Sequence, residues 1–238
     1  MKNILLVIKG FIMGIANIIP GVSGGTLALT LGIYEDFIGA ISHFFRNIKK
    51  HVSFLLPIFV GILLSVITMS NVISTCFDQY PIPTTLFFMG LVIGGIPMLL
   101  KRVKNTKEKK QVSSYVIALI TFSIVMIMAF SEQIFGSGLG NVSFSNMAVF
   151  DYVILFFVGL IAAATMVIPG VSGSLVLMLL GYYLPIIGVL KELTKFENLG
   201  PNLLVAFVFG VGVLVGIVAI SKAVSYTHLR AHETSQDL

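Results

Sequence analysis

A five-residue run, Pro-Gly-Val-Ser-Gly, occurs twice in the chain, at Pro20–Gly24 and again at Pro169–Gly173. Around it, Gly10–Ile41 and Gly159–Leu190 align without a gap at a constant offset of 149 and share 13 of 32 positions. Leu31, Gly32 and Tyr34 match Leu180, Gly181 and Tyr183, and the same offset pairs Gly61 with Gly210 further on. Apolar sequence of low complexity matches itself by chance, but a run carrying one Pro, one Ser and two Gly does not. The chain is an internal duplication, and each copy must contain the same interruption.

The sequence around that interruption has no water-facing surface to offer. Of 238 residues, 57% are hydrophobic and 11% charged, with a mean hydropathy of +1.03. A soluble domain carries about 25% charged residues, so the composition reads as an all-α polytopic membrane protein. The formal charge of +5 does not point to nucleic acid, because the basic residues lie in short runs between apolar stretches, as membrane topology is encoded. One cysteine, Cys76, excludes an internal disulfide and a cysteine-built metal site. Lys2 followed by an apolar run resembles a signal peptide, but no small-residue cleavage site follows and the pattern continues to Ile19; it reads as a retained segment.

Phe54–Ile73, Thr84–Leu100, Ser114–Phe130 and Leu203–Ser221 are each long enough to cross a hydrocarbon core of ~30 Å. Near the motifs the pieces are shorter, Ile4–Ile19 and Gly24–Ile41. A Pro and two Gly in five residues end a helix, and Ser-Gly favours starting another. Each motif therefore predicts helix, break, helix, either as a re-entrant hairpin or as the junction of two tilted spans. We divide the chain into one transmembrane domain, residues 1–222, with repeat 1 over about 1–101, a linking span over about 114–131 and repeat 2 over about 150–222. The second copy stops after its equivalent of Phe54–Ile73, which predicts that the full repeat has at least one further span. Ser225–Leu238 is polar, begins abruptly and resembles translated adapter read-through, so 225–238 is set aside as a non-native tail.

Positive charge gives the orientation. Lys2 and Lys9, then Arg46, Lys49 and Lys50, then six basic residues in Lys101–Lys110 mark cytoplasmic stretches, whereas Ser74–Pro83 and Ser131–Asp151 hold no Lys or Arg. Both ends of the first motif unit lie inside, and three spans separate it from the second, which predicts an inverted repeat. Lys191 and Lys195 then fall outside, accompanied by Glu192 and Glu197, and are the weak point. A parallel repeat, with each motif breaking one span, is the alternative.

Two interruptions entering from opposite sides would converge near the bilayer centre. Helices starting at Ser23-Gly24-Gly25-Thr26 and Ser172-Gly173-Ser174 would aim free N–H groups there, with hydroxyls as further donors and glycines allowing close approach. That is chemistry for a phosphate or small oxyanion; the same Pro-Gly and Ser-Gly elements also serve close helix packing. Glu35 is the candidate for coupling to a proton or sodium ion, or else an interfacial carboxylate. Asn17, one turn before the break, is placed to satisfy freed backbone, which its repeat partner Met166 cannot do. Tyr34 and Tyr183 read as interface anchors or as lining a cavity entrance. No metal or other cofactor is expected. The apolar body has no His and no acidic cluster, which argues against a membrane lipid phosphatase. An inorganic-anion channel or exchanger, and a purely structural membrane subunit, stay open as rivals.

The paired motifs, followed by G-G-T and L-G-I-Y-E in the first copy and by G-S and L-G-Y-Y in the second, resemble the bacterial PopT-type polyprenyl-phosphate transporter family across Met1–Lys222. The resemblance implies a translocase that returns undecaprenyl phosphate from the outer to the inner leaflet of the bacterial plasma membrane, with the bilayer and this lipid as partners and no nucleic acid. It also implies Ser23, Gly24, Gly25, Thr26, Ser172, Gly173 and Ser174 as substrate-binding positions and Glu35 as a functional carboxylate.

Overall fold

A computed structural model describes residues 2–105 and 147–236, together with residues 116, 119, 120, 122, 123, 126 and 144. Most of the expected linking span and the basic run beyond Asn105 therefore lie outside the described residues. The ordered elements are helices: α1 (Lys2–Ile18), α2 (Gly24–Thr30), α3 (Tyr34–Ser42), a 3-10 turn (Phe44–Arg46), α4 (Ile48–Gln79), α5 (Pro81–Asn105), α6 (Val149–Val167), α7 (Gly173–Leu179), α8 (Tyr183–Thr194) and α9 (Leu199–Gln236). No strand occurs among the described residues.

The duplication is visible element by element. Helices α2 and α7 span the same seven positions displaced by the repeat offset. Each is preceded by a glycine in the left-handed region, Gly21 (φ +86°) and Gly170 (φ +94°), and followed by another, Gly32 (φ +66°) and Gly181 (φ +77°). An L side chain is strained at such φ, so the four glycines allow each copy to turn twice within a few residues. Between α7 and α8 the chain bends by 111°.

Helices α4, α6 and α9 are long and apolar enough to span a bilayer, and Pro81–Pro97 of α5 is a shorter apolar helix. Large apolar side chains such as Leu64, Phe87, Ile93 and Leu203 are exposed along them, as lipid-facing surfaces require. The protein is thus an all-α, multi-pass membrane protein. The backbone of α9 continues as helix through 225–236, the stretch set aside from the sequence.

Two helix crossings hold the copies together internally. In repeat 1, Gly10 and Gly14 of α1 meet Gly61 and Ser65 of α4; a Cβ at Gly10 would stand 2.2 Å from the carbonyl oxygen of Ile58, and one at Gly61 would stand 2.1 Å from that of Val7. In repeat 2, Gly159 and Ala163 of α6 meet Gly212 and Gly216 of α9, with Gly212 as close to the Phe156 carbonyl. Both are small-xxx-small contacts, the usual means by which membrane helices bring backbones together. The second crossing is shifted two residues along its helix, so a Cβ at Gly210, the repeat partner of Gly61, would meet no atom of another element within 4 Å.

The copies are inverted. The C-terminal end of α3 lies beside the start of α4 and the later part of α9: His51 Nδ1 is 3.2 Å from the Phe44 carbonyl, and the Ser42 hydroxyl donates to the Ser221 carbonyl at 2.8 Å. Its counterpart α8 ends beside the other end of α4 and the start of α9. There Lys191 pairs with Asp78 at 2.7 Å and donates to Ser74, Asn71 bonds Thr194, and Glu192 accepts from Asn198 and Asn202. Matched elements therefore end at opposite ends of α4. The misplaced positive charge of Lys191 is answered locally by Asp78.

Candidate functional site at the crossed interruptions

The chain interruptions of the two copies touch. The N–H of Gly21 donates to Ser172 Oγ at 3.2 Å, and the N–H of its partner Gly170 donates to Ser23 Oγ at 3.3 Å. Such a reciprocal exchange is the mark of a two-fold relation between equivalent surfaces. Each serine also caps its own helix, accepting from the N–H of Thr26 and of Leu175, respectively, both at 3.3 Å. Thr26 Oγ1 accepts a further bond from Gly170 N–H at 2.9 Å. Backbone amides freed by Pro and Gly would cost several kcal/mol each in hydrocarbon; here the opposite copy receives them.

Beyond this brace the symmetry fails. In copy 2, Ser174 donates to the carbonyl of Ile19 at 3.0 Å and sits 3.1 Å from Ser172 Oγ, while Tyr183 donates to the carbonyl of Ile18 at 3.0 Å. The equivalent residues of copy 1 are Gly25, which has no hydroxyl, and Tyr34, whose hydroxyl makes no hydrogen bond among the described residues. Gly25 instead lies against the Val167 carbonyl, where a Cβ would come within 2.8 Å. Asn17 packs its amide on Gly24, and its Oδ1 is buried with no partner. In copy 2 the same place over Gly173 is filled by the Met166 side chain.

A cavity of about 570 Å³ opens between the copies beside this brace, walled by α1–α4 and α6–α9. Its volume lies in the range of small-ligand sites. No Lys, Arg, His, Asp or Glu lines it among the described residues, and most of its wall is aliphatic or aromatic. Its polar features are Asn17, Gly24, Gly25, Tyr34, Ser174 and Tyr183.

Of the positions expected from sequence, Gly24, Gly25 and Ser174 reach the cavity. Ser23, Thr26, Ser172 and Gly173 do not line it; the three hydroxyls among them face backbone amides of the brace. Glu35 is exposed in the first turn of α3, next to Tyr34 but outside the cavity wall. Gly210 was seen from sequence only as a repeat match, yet it borders the cavity because of the two-residue shift of α9. The shift leaves no trace in the ungapped alignment.

Paired chain breaks meeting inside an inverted repeat define a class of membrane protein whose central site is built from interrupted helices. Residues 13–236 match the VCA0040-like, undecaprenyl phosphate translocase-like family, and the chain belongs to it. It is 35% identical to a polyprenyl-phosphate transporter of Staphylococcus aureus, over 92% of this chain and 76% of that one. It is 27% identical to a polyprenyl-phosphate transporter of Vibrio cholerae, over 92% of this chain and 68% of that one. No solved structure matches the chain.

Proposed function

We propose that this protein carries polyprenyl phosphate across the membrane, and that its substrate is undecaprenyl phosphate returned from the outer to the inner leaflet of the bacterial plasma membrane. The observation that carries the reading is the uncharged cavity between the inverted copies, apolar along its walls and polar where the interruptions meet. An isoprenoid chain suits such walls, while its phosphate needs only a small set of donors to replace part of its hydration. A phosphate monoester does not cross hydrocarbon unaided, so moving it requires a polar station at depth and no change in covalent bonds. Membership of the family and the names of the two relatives support the same substrate class.

The test is leaflet exchange of fluorescent polyprenyl phosphate in proteoliposomes. Wild-type protein is expected to accelerate exchange, and Gly210→Leu, which fills open space at the cavity wall without meeting backbone, is expected to insert normally and lose most of that activity. Chloride flux without lipid movement in the wild type would overturn the reading. For direction, depletion in cells should sensitise them to agents that sequester undecaprenyl phosphate at the outer surface.

Coupling to a proton or sodium ion through Glu35 is the further part of this reading, supported by its position beside the cavity-lining Tyr34. Glu35→Gln is expected to keep lipid binding and abolish the response of transport to an imposed gradient.

A further inference from the structure

We infer that the phosphate headgroup is held on one side of the cavity only, by Asn17 and Tyr34 of the first copy, and not symmetrically between the two serine motifs. The inference rests on the lipid-phosphate reading above and deepens it.

Three observations converge. Tyr34 is 7% exposed, lines the cavity and leaves its hydroxyl without a hydrogen bond among the described residues, while its repeat partner Tyr183 is 3% exposed and committed to the Ile18 carbonyl. Asn17 lines the same cavity, and neither end of its amide is bonded among the described residues; its partner Met166 has nothing to donate. On the opposite side, Met166 covers Gly173 and Ser174 is spent on Ile19.

Two donors left unbonded on one side of an otherwise apolar hollow, the Tyr34 hydroxyl and Asn17 Nδ2, suit the oxygens of a tetrahedral oxyanion. Phosphate oxygens accept from these two groups, while Asn17 Oδ1, itself an acceptor, stays turned to Gly24. The isoprenoid chain then runs along the aliphatic wall. The serine hydroxyls of the motif act as the brace that fixes this geometry.

The experiment compares Tyr34→Phe and Asn17→Leu with Tyr183→Phe in the full chain in nanodiscs, titrated with undecaprenyl phosphate and with undecaprenol as the neutral control. Tyr34→Phe and Asn17→Leu are each expected to weaken undecaprenyl phosphate binding by about tenfold or more, as loss of a hydrogen bond to a charged group does, with undecaprenol binding and thermal stability unchanged. Tyr183→Phe is expected to lower thermal stability and leave the affinity of the folded protein intact. Unchanged affinity in a Tyr34→Phe/Asn17→Leu double variant, with the wild type binding the phosphate over the alcohol, overturns this inference alone. Wild-type protein that does not distinguish phosphate from alcohol overturns it together with the functional reading beneath it.

Discussion

Ser23 and Ser172 each accept two backbone amides, one from their own helix and one from the opposite copy. The first of these roles is local and legible in the sequence, because a serine ahead of a glycine-led helix is a strong N-cap. The second depends on how two distant segments cross, and no spacing along the chain encodes it. That is why the crossed acceptance of backbone amides by these hydroxyls is not legible in the sequence. Ser23→Ala and Ser172→Ala are each expected to destabilise the protein by about 1–2 kcal/mol, from the lost cap and the stranded glycine amide. Thermal unfolding in detergent measures this, and the two losses should not add, since both residues belong to one network.

At the scale of elements, apolar length found two of the spans: α4 and α9 contain Phe54–Ile73 and Leu203–Ser221. Thr84–Leu100 falls in α5, whose apolar part Pro81–Pro97 is shorter, and Ser114–Phe130 lies mostly outside the described residues. Helix α6 is a span read from sequence only as part of a motif unit. The break motifs fall between α1 and α2 and between α6 and α7, where Pro and Gly placed them. What stayed open was the direction of the chain after each break, since hydropathy carries no sense of direction. The helix crossings had a readable signal, Gly10-x-x-x-Gly14 against Gly61-x-x-x-Ser65, but its weight comes only from knowing which helices are partners. Gly61 and Gly210 test this distinction. They are matched by the repeat, yet Gly61→Leu drives a side chain into the α1 backbone and is expected to abolish folding, whereas Gly210→Leu meets open space. Yield of monodisperse protein in detergent separates them, and equal losses would contradict the shifted crossing.

For the whole molecule, the Lys and Arg distribution anticipated an inverted repeat, with Lys191 and Lys195 as the discordant charges, and Lys191 is paired. Its pairing with Asp78 shows why the discordance is tolerated: the cation is matched by a carboxylate on the neighbouring copy. Inversion predicts opposite accessibility at equivalent places. The native Cys76, and Lys191→Cys in a Cys76→Ser background, should react with a membrane-impermeant maleimide from the same side of the membrane, while His43→Cys in that background should react from the other side. Labelling of all three from one side would exclude the inverted arrangement.

The crossed bonds between Gly21 and Ser172 and between Gly170 and Ser23 make the two interruptions a single mechanical joint. Moving either interruption away from the other breaks a bond that the other's capping serine accepts. Separating the two breaks at one face therefore costs bonds at both, which disfavours an arrangement open to both faces at once.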